Sequence, residues 1–322
     1  MKPEVLIGID LPPTSASRLA EAYDLHRALT AEDLERLRAE GSFRTIRAVL
    51  TSGTVGLSAN LMEAMPRLEL VCVLGSSCEN IDMGTARRRG IVIANGPGID
   101  DASVADHAMA LLLAVARGIA DGDRAVRRGE WSQGQRVGLW EGLWALRPVV
   151  SGKRLGILGL GQIGQQIAQR AVAGFGMSVA YHNRRPRNGS FYTFHDRLIG
   201  LANNCDFLVV SCPGGSETRH LVGPAVLGAL GNEGYVINVS AGSIVDTAAL
   251  IEALKERRIA GAALDAIEGE PHVPAELMTL PNVIVTPRLA SRSPETYRAS
   301  ADLIRANLDA HFAGKPVLTP VR

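Results

Sequence analysis

The chain has almost no excess of either charge, few cysteines and no long apolar run, and each scarcity excludes something. The formal net charge is +1 over 322 residues. Bulk charge therefore offers no grip on nucleic acid or another polyanion, and no such partner is expected. The four cysteines, Cys72, Cys78, Cys205 and Cys212, show neither C-x-x-C nor zinc-ligand spacing. They read as reduced, mostly buried thiols of a cytoplasmic protein, and no metal is expected. No apolar stretch reaches membrane-spanning length, so no membrane partner is expected. A strand pattern starts almost at once, at Val5, which leaves no room for a signal peptide. There are no internal repeats or low-complexity tracts. What remains is 46% hydrophobic and 21% charged, enough for a large core in a chain long enough for two domains.

Short apolar strands alternate with amphipathic helices along the first 94 residues. Strands are expected at Val5–Ile9, Ile46–Leu50, Leu70–Leu74 and Ile91–Ala94. Helices are expected at Ser15–Ala22, Ala31–Ala39, Ser58–Met65 and Ile81–Arg89. That order predicts a parallel sheet with helices on both faces. Asn95-Gly-Pro-Gly98 is a breaker cluster and a natural hinge. After it, Ala102–Gly118 reads as a long helix, apolar enough to be buried on most sides. Gly129–Val150 reads as irregular and holds all three tryptophans, Trp131, Trp140 and Trp144. An arm carrying tryptophan favours a protein–protein contact, here a homodimer arm over about residues 120–150.

A second strand–helix series opens at Arg154–Leu158, a buried strand running into Gly159-Leu-Gly-Gln-Ile-Gly164 and then a helix. GxGxxG between strand and helix is a dinucleotide-binding turn. The first glycine allows the tight turn, the second lets backbone N–H groups approach a pyrophosphate, and the third lets the helix pack close. Gln162 and Ile163 open the helix whose N-terminus faces the anion. A glycine-rich turn without ligand is the competing reading, and the flanking elements weigh against it. Further strands are expected at Ser178–His182, Phe207–Ser211, Gly234–Val239, Ala260–Leu264 and Val283–Thr286. A closing helix at Pro294–Phe312 can return to the first domain.

The end of the second strand decides the nucleotide. NAD-specific sites place a carboxylate there for the ribose hydroxyls. This chain has Asn183, then Arg184 and Arg185. Without the carboxylate a 2′-phosphate is not repelled, and two guanidinium groups supply fork-shaped contacts to it. NADP(H) is favoured over NAD(H), against the plainer reading of a solvated basic loop.

From about Leu70 onward the chain resembles the D-isomer-specific 2-hydroxyacid dehydrogenases. The motifs arrive in that family's order: Val104-Ala-Asp-His107, the glycine turn, Cys212-Pro-Gly-Gly-Ser-Glu-Thr-Arg-His220, Val236-Ile-Asn-Val-Ser-Ala-Gly-Ser-Ile-Val-Asp246, Leu264-Asp265, Glu270-Pro271 and Val285-Thr-Pro287. Pro-Gly-Gly after the cysteine and Glu-Pro-His-Val-Pro are similar to the glyoxylate, hydroxypyruvate and hydroxyphenylpyruvate reductase branch. The resemblance implies an α/β protein of two Rossmann-like domains with parallel sheets. A discontinuous, flavodoxin-like substrate domain would take residues 1–99 and 290–322, and a dinucleotide-binding domain residues 100–289. The active site would lie in the cleft between them, in a homodimer. Cys212, Pro213, Thr218, Val239 and Ser240 would line the cofactor, and Asp265 would hold the nicotinamide amide.

The family's chemistry uses an arginine for the substrate carboxylate and carbonyl, a histidine as proton donor, and a glutamate that tunes the histidine. The matching positions are Ala241, Arg288 and Glu270. Only the glutamate is present. Alanine offers no anchor to a 2-oxo acid. A guanidinium stays protonated throughout and is a poor general acid, so beside Glu270 it would form an ion pair and at most bind an anionic or carbonyl substrate. Ser76 and Ser77 replace the family's small apolar and glycine residues in the substrate-carboxylate loop, so that wall is altered too. His107, His182 and His272 are the histidines that could substitute, but the sequence names a partner for none of them. The implied function is an NADP(H)-dependent oxidoreductase with an altered substrate site, acting on an activated carbonyl or an imine. Weak glyoxylate or hydroxypyruvate reduction, and a non-catalytic NADP(H) sensor or scaffold, are the alternatives.

Overall fold

The computed structural model describes residues 2–131 and 146–321. The central part of the tryptophan arm, with Trp140 and Trp144, lies outside them. The chain divides into two compact units, Met1–Asp100 with Arg292–Arg322, and Asp101–Ser291.

In the first unit β1 (Glu4–Ile7), β2 (Asp24–Arg27), β3 (Ile46–Ser52), β4 (Leu70–Leu74) and β5 (Val92–Ala94) form one sheet in the order β2-β1-β3-β4-β5, every neighbouring pair parallel. That is the flavodoxin-like order. Because side chains alternate along a strand, β1 sends Leu6 to one face and Val5 and Ile7 to the other. Leu6, Val49 and Val71 pack with Phe43, Met62 and Met65. Val5, Ile7, Leu50 and Leu70 pack with Leu19, Tyr23, Ile304 and Leu308. Of the helices α1 (Pro13–Ala20), α2 (Ala31–Ala39), α3 (Ala59–Glu63) and α4 (Met83–Arg89), α2 starts where Thr30 and Asp33 form a reciprocal capping box. Helix α4 ends at Gly90, which is left-handed. The last long helix of the chain, Pro294–Phe312, packs on β4 and so completes this unit.

The second unit opens with α5 (Asp101–Arg117) and α6 (Ile119–Arg127). Its sheet contains β6 (Arg154–Leu158), β7 (Ser178–His182), β8 (Thr193–Phe194), β9 (Phe207–Val210), β10 (Tyr235–Asn238), β11 (Gly261–Leu264) and β12 (Val283–Val285), in the order β12-β11-β10-β9-β6-β7-β8. All pairs are parallel. Counted from β6, this is the Rossmann order with one added strand, and its switch point lies between β6 and β9. Helices α5 and α7 (Gln162–Phe175) cover one face through Leu112, Val115, Ile167 and Ala171 against Ile157, Val209 and Ile237. Helices α8 (Leu198–Asn203), α9 (Pro224–Leu230) and α10 (Thr247–Lys255) cover the other through Leu201, Leu227 and Leu250. Leu112 is fully buried, and truncating such a residue to alanine costs about 2–5 kcal/mol. The unit ends with α11 (Ala275–Thr279), β12 and a turn to Ser291; the helix Pro294–Phe312 is α12.

Helices α8, α9, α10 and α11 were not placed from the sequence, and three further elements carry no local pattern at all. Strand β2, Asp-Leu-His-Arg, has no apolar alternation and only half-buried side chains. Strand β8 is two residues long. Helix α6 follows a left-handed Gly118, contains Gly122 and buries only Ala125. All three are peripheral elements, held by tertiary pairing more than by their own pattern.

Candidate active site

The site of the second unit is built at the carboxyl ends of β6, β7, β9, β10 and β11. The glycine turn closes β6. Gly159 has φ +101°, and a Cβ there would fall 2.5 Å from the Cys212 backbone nitrogen. A Cβ on Gly164 would fall 2.4 Å from the Gly159 carbonyl oxygen, whereas one on Gly161 meets nothing within 4 Å. The first and third glycines are thus demanded by packing, and the second leaves an open cradle at the N-terminus of α7. That is the division of labour a pyrophosphate site requires. The residues present fit a dinucleotide.

Asn183, just past β7, accepts the Leu160 N–H on Oδ1 at 2.8 Å, so its side chain braces the turn. Arg184 reaches out to Glu217, Nη1 to Oε2 at 3.0 Å. Arg185 is exposed and has no polar partner among the described residues. Gln162 and Ile163 form the first turn of α7. At the switch point Cys212 is buried, and burial pushes its thiol up to about 11. Pro213 and Gly215 carbonyls accept the Thr218 hydroxyl at 3.0 and 3.2 Å. Ser240 donates its hydroxyl to the Cys212 carbonyl. Val239 is buried beside it.

Past β10 the chain turns sharply over Asn238–Ala241. Asn238 is fully buried; its amide donates to the carbonyls of Ala241 (3.1 Å) and Ala266 (3.2 Å), and its Oδ1 accepts the Ser240 N–H (3.1 Å). A Cβ on Gly242 would sit 2.2 Å from the Ile267 carbonyl carbon. This glycine therefore permits the buried Ala241 to lie against the 266–270 loop. Glu270, from that loop, accepts the Ile267 N–H on Oε2 at 3.2 Å. Arg288 forms an ion pair with it, Nε donating to Oε1 at 2.7 Å and Nη2 donating to the same oxygen. Its Nη1 donates to the Ser240 carbonyl at 3.3 Å. The backbone at Arg288 is left-handed, φ 55°, a conformation uncommon outside glycine. Ala241, Ser240, Glu270 and Arg288 thus form one contiguous group.

Asp265, at the end of β11, is nearly fully buried. Its Oδ1 accepts the Thr286 hydroxyl (2.6 Å) and the Leu289 N–H (2.8 Å), and its Oδ2 the Ala290 N–H (3.0 Å). His107 of α5 stands 3.2 Å from the same Oδ1 and 3.1 Å from the Thr286 hydroxyl. The carboxylate is therefore the fastener of the turn that carries Arg288. Ser76 and Ser77 belong to the first unit, in the loop after β4. There the Ser76 carbonyl accepts from the Asn95 amide at 2.7 Å, and the Ser77 hydroxyl accepts the Glu79 N–H at 3.4 Å.

A family model for the D-isomer specific 2-hydroxyacid dehydrogenase, NAD binding domain, matches residues 109–290. The chain belongs to the D-isomer specific 2-hydroxyacid dehydrogenases. Glyoxylate/hydroxypyruvate reductase A of Arabidopsis thaliana is 41% identical over 305 residues, 95% of this chain and 94% of the relative. Among solved structures, a 2-hydroxyacid dehydrogenase from Ketogulonicigenium vulgare Y25 superposes with a TM-score of 0.89 at 40% identity, covering 100% of this chain and 99% of that one. An NADPH-dependent glyoxylate/hydroxypyruvate reductase from Sinorhizobium meliloti, in complex with NADP and malonate, gives 0.87 at 37% identity, covering 100% and 97%. The chain is accordingly an oxidoreductase, an NAD(P)H-dependent enzyme acting on CH–OH or C=O groups.

In the folded 2-hydroxyacid dehydrogenase several histidines meet partners that the sequence does not name. His107 does have partners, Asp265 and Thr286. His182 pairs its Nδ1 with the His195 carbonyl at 2.8 Å. His220, not considered as a site residue, contacts both oxygens of Glu268 at 2.8 and 3.0 Å, and Arg219 reaches the same carboxylate at 2.6 Å. Only Asn238 left a local signal, a polar residue ending an apolar strand.

Proposed function

We propose that this chain is an NADP(H)-dependent member of the family whose substrate half is rebuilt, so that it reduces an activated carbonyl or an imine-type substrate bearing an anion. The observation that carries this reading is the Arg288–Glu270 pair. Where the family sets a histidine to give up a proton, this chain sets a guanidinium already committed to a carboxylate and a carbonyl. Such a group binds and orients but does not cycle through a neutral form. Ala241 contributes no charge, so Arg288 is the cation left in this group for an anionic substrate. Gly159, Gly161, Gly164 and the first turn of α7 would hold the dinucleotide pyrophosphate, and Asn183, Arg184 and Arg185 its adenosine end. The bound nicotinamide supplies the hydride. Asp265 keeps the Thr286–Ala290 turn, and with it Arg288, in place.

Preference for NADP(H) is supported by the absence of a carboxylate at position 183, by the two arginines after it, and by the similar Sinorhizobium meliloti reductase described with NADP. A homodimer is supported by the exposed Ile119 and Val126 of α6 and by Trp131, 65% exposed at the start of the arm. A cytoplasmic setting is supported by four free cysteines, Cys72 and Cys205 among those buried.

A second reading, weak glyoxylate or hydroxypyruvate reduction through Arg288, Glu270 and water, is favoured by the names of the similar reductases. One assay divides the two. NADPH and NADH binding is measured by fluorescence, and NADPH oxidation is then followed with glyoxylate, hydroxypyruvate and hydroxyphenylpyruvate. Tight NADPH binding with negligible turnover on all three supports the rebuilt site. Turnover at rates ordinary for an enzyme, about 1–1,000 per second, refutes it. Reduction of a carbonyl or imine from a wider panel completes the support for the rebuilt site, and failure across that panel refutes it.

A further inference from the structure

We propose that Glu217 is a specificity-setting residue of the cofactor site: its carboxylate competes with a 2′-phosphate for Arg184 and narrows the preference for the phosphorylated dinucleotide. The proposal rests on the NADP(H) reading above. Three arginines follow β7, and the fold deals with each differently. Arg187, itself exposed, reaches back to the glycine turn, its Nη1 donating to the Leu160 carbonyl at 3.3 Å and its backbone N–H to the Tyr181 hydroxyl at 2.9 Å. Arg185 is exposed without a polar partner among the described residues. Arg184 alone is neutralised by an acid, Glu217, at 3.0 Å.

The acid is a surface side chain, but the segment that carries it is tied to the cofactor turn. It sits in the short 3-10 turn Ser216–Thr218, which hangs from the Cys212–Pro213 corner through the Thr218 hydroxyl bonds to Pro213 and Gly215. That corner faces Gly159 across the switch point, since a Cβ on Gly159 would strike Cys212. The same strand end that closes over the glycine turn therefore delivers a negative charge to the first arginine after β7.

The consequence is asymmetric. A dinucleotide without the 2′-phosphate leaves the Arg184–Glu217 pair intact. One with it brings a second anion to the same guanidinium, so the pair must open or like charges must sit side by side. Both side chains are largely exposed, 89% and 77%, so the pair carries the modest weight of a surface ion pair. The effect on affinity is then roughly 1.4- to 5-fold and shrinks with salt.

The test compares wild type, Glu217→Gln, Arg184→Gln, Arg185→Gln and the Glu217→Gln/Arg184→Gln double variant at low ionic strength. Each is titrated with NADPH, NADH, adenosine 2′,5′-bisphosphate and 5′-AMP. Glu217→Gln should tighten the two 2′-phosphorylated ligands by roughly 1.4- to 5-fold and leave the other two unchanged. The gain should vanish in the Arg184→Gln background and fade in high salt. A gain that persists without Arg184, or that extends equally to NADH, overturns the proposal, as does no gain at all while Arg184→Gln weakens NADPH. If neither arginine substitution affects the 2′-phosphorylated ligands, the NADP(H) reading itself falls and the proposal with it.

Discussion

Exchanging two side chains should turn the present site into an ordinary oxoacid reductase. The double substitution Ala241→Arg with Arg288→His restores the charge and the titrating acid together. At position 288 the backbone is left-handed, and histidine is among the residues enriched there, so the imidazole is well accommodated. Removing the guanidinium frees Glu270 Oε1, whose carboxylate stays anchored by the Ile267 N–H and can hold an imidazole. A positioned general acid contributes about 10²–10⁴-fold. A charge-assisted bond from the new arginine adds about 1.5–3 kcal/mol, roughly 10- to 150-fold. The two sites lie in one contiguous group and couple, so a gain of about 10³ in kcat/KM for glyoxylate with NADPH is the sober expectation. The profile from about pH 5 to 9 carries the stronger test. Wild type should be flat, because a guanidinium does not titrate there. The double variant should lose activity as pH rises and its imidazole gives up the proton. Ala241 is buried, so thermal melting must first show that the arginine has not broken the fold. A folded, NADPH-binding double variant with less than about tenfold gain would refute the reasoning. So would a wild-type profile already falling through neutrality.

Two glycine substitutions separate fold from ligand. Gly161→Ala should leave the melting temperature almost unchanged, since its Cβ meets nothing within 4 Å, yet weaken NADPH by about tenfold or more through the blocked backbone approach. Gly159→Ala should lower both, because its Cβ meets the Cys212 backbone and its positive φ costs about 1–2 kcal/mol. Thiol titration with a disulfide reagent at mildly alkaline pH should find Cys78 first. Burial pushes Cys72 and Cys205 up to about 12 and Cys212 to about 11, so these three react only on unfolding. Rapid reaction of all four in the native protein would contradict the packing. On the first unit, the Arg47 guanidinium bonded to Glu69 holds that carboxylate below its usual range, with burial opposing and His311 assisting. A carboxylate depressed in the fold stabilises above its unfolded value and loses that contribution as pH falls through its folded one. Arg47→Gln should therefore cost about 0.5–1 kcal/mol at neutral pH and progressively less as pH falls below the ordinary carboxylate range, read from denaturant melts; a cost independent of pH would refute the pairing.

The sequence made the buried strands legible because their apolar runs are continuous. Bounds for β4, β6, β7 and α12 follow directly from composition and breakers. The edge strands β2 and β8 and the polar helix α6 left no such pattern, since their placement comes from neighbours. The glycine turn was legible for the same reason as β6: the pattern that marks it lies within a few residues, although Cys212 and Asn183, which pack and brace it, do not. Contacts of the site were not. His107 finds Thr286 across 179 positions and His220 finds Glu268 across 48, and no local periodicity encodes such meetings. Asn183 shows the limit from another side. Its lack of charge was visible in the sequence, but its service to the Leu160 N–H emerged only from the folded turn.

The chain order of the two units carries a consequence for synthesis. The unit Asp101–Ser291 is one uninterrupted stretch, whereas the other joins the first hundred residues to the final thirty-one, with α12 against β4 and an antiparallel bridge between Ala94 and Pro320. On a ribosome, the nucleotide-type sheet can close while the earlier one still waits for its last helix. The segment made first is thus the last to be finished, and a message cut short anywhere before α12 leaves that early sheet with bare apolar strands for quality control to find.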